Sequence, residues 1–233
     1  MKTLSKAVAV ASLLTAGVMS AQVANAVEVS ASAAVSNMYL WRGLDLGDSS
    51  SDFNGDGKDD QSNGGVAAIS GDLNISMGGA YAGVWTSSGD ANGGQEYDLY
   101  VGYGVDAGAV AIDASVWTYV YPSGGSSSDT MFDLTELIVS ASAAGASVTW
   151  YETLTADSAE YRYITLGYGM DKVSATLGLT LSDTDAAEYT HLDVSYAATE
   201  NLSFTYSQIV DEGVEGSFDT NGKVVATLSL PIE

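Results

Sequence analysis

Apolar and polar residues alternate without interruption over residues 173–182. Val173 and every second residue after it are apolar, and the residues between them are Ser, Thr or Gly. Because side chains of a β-strand point to opposite faces in turn, this period predicts a strand with one apolar face and one small, hydroxyl-rich face. A tilted strand of about ten residues is long enough to cross a bilayer.

The same alternation recurs along the chain and predicts about twelve strands. We expect them at residues 29–43, 65–76, 80–87, 95–106, 109–121, 131–143, 146–153, 161–170, 173–182, 189–198, 201–209 and 223–232. Consecutive strands at this spacing favour an all-β fold, an antiparallel up-and-down transmembrane β-barrel, in which closure leaves no strand edge unpaired.

The connections between the predicted strands alternate in length. Tight turns are expected around residues 77–79, 106–109, 144–145, 171–172 and 199–200. Longer, acidic connections are expected at residues 44–64, 88–94, 122–130, 154–160, 183–188 and 210–222. Outer-membrane barrels have short periplasmic turns and longer extracellular loops, so this pattern predicts that both chain ends lie on the periplasmic side.

Residues 1–26 have the three parts of a secretory signal peptide. Two lysines begin the segment, residues 7–19 are apolar, and Ala-Asn-Ala at 24–26 is a small-residue cleavage site. The apolar part is shorter than the roughly 20 residues that a spanning helix needs. We therefore expect an exported protein whose residues 27–233 form a single β-barrel domain in the bacterial outer membrane.

The charge balance is strongly acidic. All 30 Asp and Glu residues follow the signal segment, together with only five bases, and the full chain has a formal charge of −23. Nucleic-acid binding is excluded, because phosphate contacts need Lys and Arg. The chain has no cysteine, so neither a disulfide framework nor thiol chemistry is available.

The strand pattern places charged residues on the face opposite the apolar one. We expect the pore to be lined by Arg42, Glu96, Asp98, Asp113, Glu136, His191 and Asp193. Arg42 would lie on the inward face of the first strand. It would form an ion pair with an acid across the lumen or act as a charge that tunes ion selectivity, and both interpretations stay open.

The first long connection contains oxygen ligands at alternate positions. A calcium-binding loop has such ligands at its positions 1, 3, 5 and 9, which here are Asp52, Asn54, Asp56 and Asp60. Gly57 supplies the turn, but Asn63 stands where a bidentate Glu would be needed. Weak Ca²⁺ binding and a solvated acidic loop both stay open, and no cofactor is expected to be required.

His191, Asp193 and Ser195 share one strand face, which raises the alternative of a hydrolase. The outer two residues would lie about 7 Å apart along a strand, beyond direct hydrogen bonding. The chain has only one histidine. We therefore expect no enzyme activity and interpret His191 as a polar residue of the lumen.

Four segments in the first half of the chain resemble a known family. They read S-N-M-Y-L-W-R-G at 36–43, A-Y-A-G-V-W at 80–85, E-Y-D-L-Y-V-G-Y at 96–103 and T-Y-V-Y-P at 118–122. In this order they resemble the TorF-type porins of Gram-negative bacteria, which are small exported barrels. The resemblance implies an outer-membrane location and a generic pore.

We therefore expect a porin-like channel for passive diffusion of small hydrophilic solutes, with a preference for cations because the lumen is acidic. The alternative is a closed structural or adhesive barrel with acidic, calcium-binding loops. Trp117, Tyr119 and Tyr121 would fill the lumen and favour that alternative. A soluble secreted β-protein is a third interpretation. The partners expected of a porin are outer-membrane lipid, lipopolysaccharide and small solutes or cations.

Overall fold

The computed structural model describes residues 27–47, 66–91, 93–122, 134–155 and 161–232. Fourteen strands occur in these ranges, with one turn of 3₁₀ helix at Asp185–Ala187. The strands are β1 Glu28–Ser36, β2 Leu40–Trp41, β3 Leu44–Asp45, β4 Ala68–Met77, β5 Ala80–Asp90, β6 Gly94–Ala107, β7 Val110–Val120, β8 Leu134–Ala143, β9 Ala146–Thr153, β10 Arg162–Met170, β11 Val173–Leu181, β12 Tyr189–Ala197, β13 Leu202–Glu212 and β14 Lys223–Ile232.

Twelve of these strands, β1 and β4–β14, form a closed antiparallel barrel. Each pairs with its neighbours in chain order, and β1 closes the ring by pairing with both β4 and β14. Closure gives every strand two partners, so the sheet has no free edge. The all-β barrel of about twelve strands that the sequence predicts is confirmed.

The two ends of the barrel differ in the length of their connections. At one end the turns are short, as at Gly78–Gly79 and Ala144–Gly145, where positive φ angles suit two-residue hairpins. The first residues of β1 and the last of β14 lie at this short-turn end, because Ala31 pairs with Ile232. The other end, the long-loop end, carries the longer connections. One prediction was wrong there: β5 continues through a bulge to Asp90, so only residues 91–93 separate it from β6.

Side chains alternate across the barrel wall as predicted. Valine, leucine, isoleucine and tyrosine side chains cover the outer face, including Leu73, Val101, Leu166 and Val224, each at least half exposed. In β5, Trp85 points inward, where it is 9% exposed. Among the described residues, no helix is long and apolar enough to cross a membrane.

The prediction that the first strand covers residues 29–43 was wrong for its second half. β1 ends at Ser36, and the Asn37 side chain then bonds the backbone of β14, accepting from the Ala226 amide at 2.6 Å and donating to the Val224 carbonyl at 3.1 Å. The side chain thus satisfies backbone groups that a longer β1 would have paired. The main chain is free to leave the wall, and β2 and β3 form a small separate hairpin.

Candidate functional site in the barrel lumen

The inner hairpin, residues 38–45, enters the lumen after β1. Its turn consists of Arg42 and Gly43, with φ angles of 49° and 82°, the pattern of a type I′ hairpin turn. Met38 and Tyr39 at its base are at most 4% exposed. The amide of Leu46 donates to the Tyr39 carbonyl at 2.9 Å, which brings the chain back beside its entry point.

Arg42, at the tip of the inner hairpin, is held by one acid and several aromatic rings. Its Nη2 donates to Glu136 Oε2 at 2.6 Å, and both side chains are nearly inaccessible. The guanidinium carbon also lies 4.4 to 4.7 Å from the ring centres of Trp41, Tyr151 and Tyr163. A desolvated cation–π contact contributes about 2 kcal/mol. Arg42 is therefore inside the lumen, but on a turn and not on the wall strand where the sequence placed it.

Two buried glutamates on the β5–β8 side, Glu96 and Glu136, are bonded by tyrosines, whereas Oδ1 of Asp98 has no partner within the described ranges. Glu96 accepts hydrogen bonds from Tyr39 on the inner hairpin and, at 2.7 Å, from Tyr121. Glu136 accepts a second bond, from Tyr119 at 2.6 Å. Each of these carboxylates is 1% exposed. Because buried carboxylates need strong donors, the tyrosines and Arg42 make this acidic half of the lumen a bonded network.

The same arrangement continues toward the short-turn end. Tyr81 donates to Asp113 at 2.8 Å, and Tyr100 donates to Asp72 at 2.8 Å. Tyr100 also stacks on Trp117, with ring centres 4.2 Å apart. Aromatic rings and bonded acids therefore fill the lumen along β5–β8.

His191 lies beneath the tip of the inner hairpin. Its Nε2 is 2.7 Å from the Tyr163 hydroxyl and its Nδ1 is 3.1 Å from Asp193. A Cβ added at Gly43 would come within 2.7 Å of the His191 side chain, so only glycine lets the hairpin tip approach this closely. Ser195 instead pairs with Thr205 at 3.0 Å. His191 and Ser195 therefore bond different partners.

The opposite half of the lumen contains a cavity of about 260 Å³. The inner hairpin bounds it on one side through Met38, Leu40, Trp41 and Arg42. The wall side is rich in hydroxyl groups, which come from Ser32, Ser36, Ser70, Ser147, Thr149, Thr165, Thr176, Thr205, Thr227 and Ser229. The inward side chains listed here are small, so they leave open a volume. On the β5–β8 side, aromatic rings fill the corresponding volume.

The seven residues predicted to line the pore all lie on the inner side and are at most 8% exposed. They divide into two groups. Arg42, His191 and Asp193 border the cavity, whereas the four remaining acids, Glu96, Asp98, Asp113 and Glu136, belong to the β5–β8 side. The predicted calcium ligands, Asp52, Asn54, Asp56 and Asp60, lie outside the described residues. Within the described ranges, no group of three His, Cys, Asp or Glu side chains could hold a metal ion.

Three residues of the lumen lie outside the pore lining that the sequence predicts. The strand alternation predicts Tyr39 and Trp41 on a wall strand and does not distinguish Asp72 from other polar strand residues. An Arg-Gly pair between Leu40-Trp41 and Leu44 was the available signal, because glycine at the second position of a two-residue turn is typical of a hairpin. Asp72 occupies an inward position in β4, opposite Ser32 of β1.

The fold and the lumen together define a closed β-barrel with an inner hairpin. The family model described as a bacterial protein of unknown function, Gcw_chp, matches residues 20–225. The chain therefore belongs to the Gcw_chp family. No curated protein matches the chain.

Proposed function

We propose that this protein is an outer-membrane, porin-like channel that lets small hydrophilic solutes diffuse passively and prefers cations. The observation that carries the proposal is the hydroxyl-lined cavity inside a barrel whose outer face is apolar. Soluble proteins rarely expose so continuous an apolar surface, whereas a bilayer requires one. The signal-peptide pattern of residues 1–26 and the resemblance to TorF-type porins support the same location.

The route for solutes would follow the hydroxyl-lined half of the lumen, between the inner hairpin and the wall formed by β9–β14, β1 and β4. Ser and Thr hydroxyls both donate and accept hydrogen bonds, so they can replace part of a solute's hydration shell. The inner hairpin would form the constriction, which predicts a narrow channel. The aromatics along β5–β8 would exclude solutes from that side.

Cation preference would arise from the charges that border the cavity. Arg42 is neutralised by Glu136, which leaves Asp72 and Asp193 as the acids on the cavity wall. The long-loop end adds Asp185, Glu188, Asp211 and Glu212. Such a field concentrates cations, and salt screens it over about 10 Å at 0.1 M.

The test is conductance across a planar bilayer that contains the purified, folded protein. We expect small discrete conductance steps and, in a KCl gradient, a reversal potential that shows preference for K⁺. A preference for Cl⁻ would overturn the charge argument. Complete absence of conductance from protein that keeps its β-sheet spectrum would overturn the channel.

A second function, a closed structural or adhesive barrel, is favoured by the packing along β5–β8. Glu96, Glu136 and Asp113 each accept hydrogen bonds from buried or partly buried tyrosines, as expected of a filled core and not of a wet pore. A folded barrel that never conducts would support this function. Calcium binding by residues 52–60 would be part of it, and calorimetry with Ca²⁺ on the full chain would test that site.

A further inference from the structure

Three neighbouring strands form a patch of small polar groups on the cavity wall. Ser147 of β9 pairs with Gly167 of β10, which pairs with Thr176 of β11. One step toward the long-loop end, Thr149 pairs with Thr165. All five residues line the cavity. A Cβ at Gly167 would lie 2.4 Å from the Ser147 hydroxyl, so the glycine keeps this part of the wall open.

In the part of the chain that the structure describes, these hydroxyls have no competing hydrogen-bond partner. Within the described ranges, the side chains of Ser147, Thr149, Thr165 and Thr176 make no hydrogen bond to another group. The four hydroxyl groups face the open cavity. A solute could therefore form hydrogen bonds with them without breaking an existing contact. Four hydroxyls on adjacent strands provide donors and acceptors at short intervals.

Most polar atoms of the charged groups that border the cavity are already engaged, and the buried Nε of Arg42 is the exception within the described ranges. Arg42 pairs with Glu136, and both ring nitrogens of His191 have partners. Asp72 accepts a hydrogen bond from Tyr100. Among the described lining residues, an anion would therefore find no cationic side chain without an ion-pair or hydrogen-bond partner, and hydroxyl groups are the main polar contacts that remain available.

Two indole rings complete the lining. Trp41 of the inner hairpin and Trp85 of β5 both border the cavity, and an indole ring offers a large apolar surface together with one N–H donor. The volume of about 260 Å³ is close to the lower end of the range for ligand pockets, about 300 Å³. It suits one small ring and excludes an oligomer.

We infer that this cavity is a binding site for a neutral, hydroxyl-rich solute of monosaccharide size. The inference rests on the proposed function, because it names the class of solute that would pause in the channel. The hydroxyl patch would bond one edge of the solute, and the indole rings would cover its apolar face.

The experiment is a titration of the folded full chain in detergent micelles with D-glucose as the probe, followed by tryptophan fluorescence. We expect a saturable change, because Trp41 and Trp85 border the cavity. Thr165→Val/Thr176→Val keeps the shape and removes two hydroxyls, and it should weaken binding about tenfold. Thr190→Val is the matched control, since Thr190 lies on the outer face of β12, and it should leave the affinity unchanged.

A titration with inorganic phosphate tests the alternative chemistry. No saturable response to D-glucose, equal affinity in the double variant, or tighter binding of phosphate than of D-glucose would each overturn the inference. The result is separate from the channel test. Conductance without D-glucose binding would overturn only the proposed binding site. D-glucose binding without conductance would overturn only the proposed channel.

Discussion

Arg42 and Glu136 form a buried ion pair at 2.6 Å that joins the tip of the inner hairpin to β8. Their side chains are 3% and 2% exposed. Glu136 also accepts a bond from Tyr119, and Arg42 Nη1 donates to Tyr161 at 3.2 Å. The hairpin is thus fixed in the lumen by a charge-assisted bond that water cannot easily replace.

Removing one partner of this pair should be costly. Arg42→Ala leaves Glu136 buried without its counter-charge, so we expect a loss of about 3 to 5 kcal/mol in the free energy of unfolding. Denaturant titration of the barrel in detergent or lipid measures it. Arg42→Met/Glu136→Gln removes both charges and should cost less than Arg42→Ala alone. Equal stability of Arg42→Ala and the wild type would contradict a buried pair.

Gly43 should be intolerant of a side chain. Gly43→Ala combines an unfavourable positive φ with a contact of 2.7 Å to His191, so we expect it to displace the hairpin tip. Gly108→Ala is the control, because Gly108 has a φ of +75° but no neighbour within 4 Å of an added Cβ. The control should cost about 1 to 2 kcal/mol from backbone conformation alone, and Gly43→Ala should cost more in the same unfolding titration. Equal costs would mean that the tip does not touch His191.

The outer and inner faces of β11 should differ in how much stability they lose when a charge is introduced. Leu177 lies at the middle of the strand on the outer face, whereas Thr176 lines the cavity. Leu177→Arg should lose roughly 2 to 4 kcal/mol near the bilayer midplane. Thr176→Arg should lose much less, because Thr176 pairs with Asp193 across the strands. Folding titrations into lipid vesicles compare the two, and equal losses would argue against a membrane-embedded outer face.

Ion preference should depend on the acids that border the cavity. Asp72→Asn removes one charge and keeps an oxygen that can accept the Tyr100 bond, so we expect a smaller K⁺ preference in the reversal potential. Asp106→Asn, near the short-turn end of β6 and not on the cavity lining, is the control. A reversal potential that responds equally to both substitutions would point to general surface charge.

The strand pattern of the sequence predicted the barrel because outward-facing and inward-facing residues alternate along the wall strands. It could not predict where β1 stops. The exit after Ser36 depends on Asn37 bonding Val224 of β14, which is 187 residues away in the chain. The inward position of the acids was predictable from the same period. Their tyrosine partners were not, because each pair joins residues on different strands or on the inner hairpin.

The most direct test of the account compares single-channel conductance of the wild type with that of a chain whose residues 38–45 are replaced by a Gly-Ser segment of equal length. Circular dichroism establishes that both are folded before they are added to the bilayer. We predict a small conductance for the wild type and a severalfold larger one for the replacement, because the inner hairpin occupies the lumen beside the cavity. Equal conductance of the two folded chains, or none from either, would contradict a channel narrowed by the inner hairpin.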